Sequence, residues 1–142
     1  VAITVLSNCK IVVNSVDLSD HARQVTIAHG AKSETATKMG DDTDNFLPGL
    51  KVSGVEVDFY QDEASGKVNQ TLFPLVGPGV AAFPVAINPV NATTSPTNPC
   101  YSFEAMLESA PPLTVAVGGI SPVKAVFKPA GGTAATLLRA TS

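Results

Sequence analysis

Two histidines, two cysteines and a cluster of three aspartates are the side chains of this chain whose types could do chemistry. Each lacks the neighbours that chemistry needs. His21 follows Asp20, a pairing that can orient an imidazole for general-base work, but no serine or cysteine stands in a nucleophile elbow nearby. The two read as a solvated surface pair on a short turn. His29 alternates in phase with Val25 and Ile27, the position of a sheet or interface histidine rather than a catalyst. Asp41, Asp42 and Asp44 place carboxylates close together as calcium loops do. The central glycine and the distal bidentate glutamate of an EF-hand are missing, so a solvated acidic loop tip is expected. Cys9 and Cys100 are too few and too far apart in sequence for a metal site or a disulfide framework; two free thiols are expected, with a single bridge left open. Gly77-Pro78-Gly79 and Gly118-Gly119 are turn glycines, since neither forms a phosphate-binding pattern between a strand and a helix. No enzymatic activity, cofactor or metal is expected.

Stepping away from single residues, 142 residues suit one domain, 1–142, with a real core. Residues 1–8 are expected to form an arm, and 133–142 a tail that frays or adds a strand to a neighbour. Gly and Pro number 11 each, a mixture that many short strands joined by turns would give. The net charge of −3 comes with no basic block, which argues against tight binding to nucleic-acid phosphates but not against a surface past which nucleic acid slides. VAITVLSNCK has no charged start or long apolar core, so no signal peptide is expected. No apolar run approaches the roughly 20 residues that span a bilayer.

Alternation organises the rest. Ser53, Val55, Val57 and Phe59 point one way and Gly54, Glu56, Asp58 and Tyr60 the other, a strand with one buried face. It is expected to form a hairpin with the strand through Val25, Ile27 and His29, extended by an exposed stretch to Thr37. The hairpin's tip, Met39 to Pro48, is dense in turn formers yet holds Met39, Phe46 and Leu47. Apolar side chains that a loop cannot bury point to a covering partner. Val1–Leu6 reads as a weak strand or arm. Lys10–Val13 and Val16–Leu18 read as strands joined by an Asn14-Ser15 turn, with Ser19 capping a short helical turn. Asp62 is expected to cap one helix through the Ser65 N–H, with Ala64, Val68, Leu72 and Leu75 as its apolar stripe and Pro74 ending it. Further strands run through Ala81–Ile87, where Pro84 suggests an edge or a bulge, through Tyr101–Leu107, Leu113–Val117 and Val123–Phe127. The sum is an antiparallel β-sandwich or barrel, mainly β, with one flanking helix and a long hairpin loop.

At this point strings of residues resemble a known family. KIVVNSVDLSDHARQVTI, from Lys10 to Ile27, resembles the opening of tail tube (major tail) proteins of long-tailed bacteriophages. TATKMGDDTDNFLPGLKVSGVEVDFYQDEASGKVNQTLFPLVG resembles their loop–strand–helix segment, and VKAVFKPAGG their closing strand. Two departures stand out: Asn14-Ser15 replaces the expected Asn-Gly, and no aromatic follows Leu50-Lys51. The resemblance implies a two-sheet β-sandwich that assembles into hexameric rings stacked as a tube. Its lumen would hold a tape-measure protein and pass DNA without binding it specifically, and a tail terminator would cap it. It further implies a place in the virion tail after assembly in the bacterial cytoplasm, with no membrane partner. Within that family Met39, Gly40, Asp41, Asp42, Phe46, Leu47 and Pro48 correspond to an inter-subunit loop, and Glu56 and Asp58 are candidates for an acidic lumen wall. A capsid decoration protein, a head–tail joining protein or another β-sandwich assembly module shares these features.

Overall fold

The computed structural model describes residues 8–113 and 117–141. The expectation for Val1–Leu6 therefore lies outside the described residues, as does part of the Leu113–Val117 strand. Strands β1 (Lys10–Val13), β2 (Val16–Asp17), β3 (Ala22–Thr35), β4 (Phe46–Tyr60), β5 (Phe83–Asn88), β6 (Cys100–Ser109), β7 (Pro122–Pro129) and β8 (Leu138–Ala140) form a sheet of order β2-β1-β5-β6-β7-β4-β3, with β8 on β6. All pairings are antiparallel. The expected β-sandwich is present, its two layers being halves of one sheet that share β6. On one side Tyr101–Ala105 pairs with β5; on the other, Ala105–Ser109 pairs with β7 across a register shift.

Inward residues at period two make the core: Val55, Val57 and Phe59 of β4, Phe83, Val85 and Ile87 of β5, Phe103, Ala105 and Leu107 of β6, Val123, Ala125 and Phe127 of β7. Ala105 is small because Phe83 faces it directly and Phe127 leans in from the other side, the two rings meeting edge to face at 6.1 Å. Asn14 and Ser15 turn the first hairpin at φ 48° and 67°, the left-handed pair that a type I′ turn needs.

Four local expectations are corrected. Ser19 does not cap the 3-10 turn Ser19–His21; its hydroxyl is held by Asp17 and receives the Ile11 N–H at 2.9 Å. Asp62 does not open a helix: its Oδ1 receives the Ala64 N–H at 2.9 Å, and Gly66 at φ 73° takes the chain out of right-handed geometry. The helix α1 is only Val68–Leu72, with both end residues buried, and a 3-10 turn containing Pro74 follows it. Pro84 lies in an interior strand, because β1 stops pairing at Val13 opposite Val85. The Pro84 carbonyl takes the Asn14 N–H at 2.9 Å; a strand residue's donor and acceptor point the same way, so the N–H that proline lacks would face only the turn. The carboxy-terminal stretch, expected to fray or to add a strand to a neighbour, pairs within its own chain: a 3-10 turn (Gly132–Ala135) brings β8 back onto Cys100–Ser102.

The loop between β5 and β6 is ordered from within. Asn98, buried, receives the Val90 N–H at 3.0 Å and places its amide within 3.0 to 3.3 Å of the Val90, Ala92 and Thr93 carbonyls. Asn98→Ala leaves these backbone groups without partners and is expected to lower unfolding free energy by about 1–3 kcal/mol, read by urea denaturation. An unchanged midpoint would show that water replaces the amide at no loss.

Candidate assembly surfaces

β4 meets β7 only over Val55–Tyr60, while β3 and β4 pair from Ala22↔Phe59 out to Thr35↔Phe46. The distal half of this hairpin is thus a two-stranded arm standing off the core. Phe46, Leu47 and Pro48, expected in the loop, belong to β4, and the loop proper shrinks to residues 36–45. Ala31 pairs with Lys51 and Ser33 with Pro48, so β4 carries one extra residue around Gly49 and Leu50. Directly paired residues share a face. Phe46 and Pro48 therefore continue the inward face of Val55 and Val57, and Leu47 falls on the opposite face with Glu56. Phe46 and Leu47 are 59% and 60% exposed, and Leu50 in the bulge is 78% exposed. Apolar residues thus stand on both faces of an arm that has nothing among the described residues to bury them against.

The tip is rigid. Asp41 N–H donates to the Lys38 carbonyl at 3.1 Å, with Gly40 at φ 96° in the position where a type II turn demands glycine. Asp41 Oδ2 receives the Lys38 N–H at 2.9 Å and the Asn45 amide at 3.1 Å, and Thr37 Oγ1 receives the Asn45 N–H at 2.8 Å. Asp41 is a brace, and Asp42 and Asp44 are left exposed beside a fully exposed Met39. Among the described residues no three His, Cys, Asp or Glu side chains converge as metal ligands.

The sheet's two edges differ. At the β1–β2 edge, the Ile11 N–H goes to Ser19 Oγ and its carbonyl takes the Leu18 N–H at 3.0 Å. β3, 14 residues long, is the terminal strand at the other end and pairs with β4 alone among the described residues. A bare edge of that length is a template for another strand. The outward face of β4, β6 and β7 is charged: Glu56 meets Lys124 at 3.4 Å and Glu108 meets Lys128 at 3.7 Å. Asp58, half-buried, lies opposite Lys124.

On the inward side, an apolar groove of about 690 Å³ opens between β3 and the β5–β6–β8 corner, over Val25, Ile27, Ile87, Tyr101 and Leu138. His29 lies on its wall, in phase with Val25 and Ile27 as the alternation implies, and the unbridged Cys9 sits at its margin.

No family model and no curated protein matches the chain. Solved structures do. The tail tube of phage SPP1, determined by solid-state NMR and cryo-electron microscopy, superposes with a TM-score of 0.68 over 95% of this chain and 77% of its own, at 12% identity. The Dit protein of SPP1, a hub of the adsorption apparatus in phages infecting Gram-positive hosts, superposes with a TM-score of 0.51 at 17% identity. This chain is covered to 85% and spans 49% of the Dit chain. The fold is tail-tube-like.

Within this tail-tube-like fold, His21 is held in a way its neighbour Asp20 did not foretell. Its Nδ1 lies 2.7 Å from Asp20 and its Nε2 2.7 Å from Asp62, 41 residues further on, with Lys67 near Asp20 at 3.5 Å. The ring is largely buried, 16% exposed, so it is not a solvated pair but a clamp tying the 3-10 turn to the end of β4. Burial pushes the imidazole's pKa down, but the hydrogen bonds and charges of Asp20 and Asp62 outweigh it and hold the pKa above the ordinary value. The His21 hydrogen bond holds Asp20 low; the Ala64 N–H, then His21, hold Asp62 low. A raised histidine pKa gives stability that is complete below about pH 6.5 and lost as pH rises through the folded value. Depressed carboxylates give stability complete above about pH 4 and lost as pH falls through theirs. The melting-temperature gap between wild type and His21→Ala is thus expected to be widest between these limits and to shrink toward pH 9. A gap flat in pH would show that the clamp acts by packing alone.

Proposed function

We propose that this chain is a structural, non-enzymatic subunit of a phage tail tube, self-assembling into stacked hexameric rings whose lumen holds a tape-measure protein and conducts DNA. A tail terminator closes the tube, and the assembled product resides in the virion tail after assembly in the host cytoplasm. The observation that carries this reading is the arm: a rigid, two-stranded extension with unburied apolar side chains, on a tail-tube-like fold with one bare edge. A ring satisfies such edges and faces without leaving any open. No helix of the described residues is long and apolar enough to cross a membrane.

The outward face of β4, β6 and β7 is assigned to the lumen. Glu56, Asp58, Glu104 and Glu108 against Lys124 and Lys128 give it four negative and two positive charges, net −2. Such a wall repels phosphates and keeps DNA from sticking. Tubes of Glu56→Lys with Asp58→Lys are expected to retain DNA fragments at low salt that wild-type tubes release, with retention lost as salt rises. Equal release by both would remove the charge argument.

Negative-stain electron microscopy of the purified protein across a concentration series tests the whole reading. Stacked rings or tubes of even bore are expected. Rings that never stack favour a hub or joining position, which the likeness to the Dit protein supports, and a compact trimer at high concentration favours capsid decoration.

A further inference from the structure

The groove and the arm tip are complementary, and nothing within one chain brings them together. Among the described residues no carboxylate lines the groove, and Lys51 and Arg139 give it two positive charges. The tip carries Asp41, Asp42 and Asp44 against Lys38, three negative charges and one positive, net −2. At its apex Met39 is the exposed apolar side chain, matched to a groove floor of Val25, Ile27 and Ile87. The groove's volume of about 690 Å³, continued by a recess of about 140 Å³ beside Ser53 and Pro129, has room for a turn rather than a single side chain. The tip's internal hydrogen bonds fix it before any encounter, which lowers the entropy lost on docking. The arm is rooted in the groove's own wall at Lys51 and His29, and its pairing from Ala31↔Lys51 out to Thr35↔Phe46 carries the tip away from that groove.

We propose that the groove receives the arm tip of a second copy of this chain, with Met39 seated on the apolar floor and Asp42 and Asp44 meeting Lys51 and Arg139. The proposal rests on the reading that the chain assembles with itself, and it adds which surfaces of two copies meet. Unlike charges would set the register of the contact and the order in which copies approach, and a methionine adapts to an irregular floor.

Two measurements on the full chain test it. Asp42→Lys with Asp44→Lys is expected to raise the concentration needed for self-association by on the order of tenfold. Lys51→Glu with Arg139→Glu is expected to do the same, and the chain carrying all four reversals to associate at the wild-type concentration, each variant melting as wild type does. The native thiol at the groove margin supplies the second. Oxidation of Met39→Cys is expected to give a ladder of linked copies on a non-reducing gel, lost with Cys9→Ser and kept with Cys100→Ser. A four-reversal chain as weak as its parents, together with no Cys9-dependent ladder, overturns the proposal and leaves the groove to another occupant such as a different tail protein or the chain's own amino-terminal segment. Tubes that form normally in that event would leave the tube reading intact. Cys9-dependent ladders from assemblies that are not tubes would do the opposite.

Discussion

Phe46→Ala is expected to raise the protein concentration needed for the proposed self-assembly by on the order of ten- to a hundredfold, and to leave the monomer's melting temperature where it was. Both halves follow from where Phe46 lies. At 59% exposure it contributes little to the fold of one chain, and surface truncations of that kind shift stability by about 0.5 kcal/mol or less. Its pairing partner Thr35, at the far end of the arm, offers no ring or aliphatic chain to pack on. An aromatic anchor covered by a partner is where truncation is most damaging, about 2 kcal/mol or more, and each 1.4 kcal/mol is a factor of ten in association. In the proposed rings every copy would repeat the contact, so the loss would multiply along the assembly. Leu47→Ala, on the opposite face of the arm, separates two geometries. If the arm is clasped on both faces, the double variant loses the sum of the two single effects. If only the inward face is covered, Leu47→Ala assembles as wild type does. Phe46→Ala tubes of normal length at the wild-type concentration would end the arm's role as anchor.

What the sequence made legible, it did through period two. Val55, Val57 and Phe59 alternate without interruption, and the same holds for Phe83 to Ile87, Tyr101 to Leu107 and Val123 to Phe127. In each, one face is buried, so the pattern is the structure. The full length of the arm is hidden in the sequence because its signal is broken. Pro48 and Gly49 resemble a loop, and the extra residue near Leu50 shifts the phase, so Phe46 and Leu47 fit no single strand pattern with Val55. Ala64, Val68, Leu72 and Leu75 keep helical spacing and so suggest a longer helix than Val68–Leu72, while Gly66 at positive φ breaks it. The His21 clamp and the groove were beyond reach for another reason. Asp62 lies 41 residues from His21 in sequence, and the groove is assembled from β3, β5, β6 and β8, so no local spacing encodes either. Pro84 suggests an edge because a proline reports only that one donor is missing; which neighbour would have received it depends on where β1 ends.

Phe127→Ala is expected to lower unfolding free energy by about 3–5 kcal/mol, a fifth or more of what a small domain has in total, about 5–15 kcal/mol. Phe127 is fully buried on β7 between Val55 of β4 and Leu107 of β6, at the place where the two layers are joined. Its removal takes away the edge-to-face contact with Phe83 at 6.1 Å and 79°, and leaves a void lined by strands that are tied into one sheet on both sides. Those strands cannot collapse into the space without breaking ladder hydrogen bonds, so the high end of the range applies. Urea denaturation reads the loss as a lower midpoint at unchanged slope; a loss below about 1 kcal/mol would show that the β6 bend relaxes to fill the gap. Where that loss unfolds the chain, the proposed self-assembly is expected to fail too, but for a different reason from Phe46→Ala, and an excluded osmolyte tells the two apart. Trimethylamine oxide favours the compact state whatever holds it together. It refolds Phe127→Ala and with it restores a surface that was never altered, so tubes return at the wild-type concentration. Phe46→Ala is already folded and still lacks the ring at the arm's end. Because the osmolyte also strengthens burial between copies, wild type in the same osmolyte is the reference, and against it Phe46→Ala keeps its deficit while Phe127→Ala loses it.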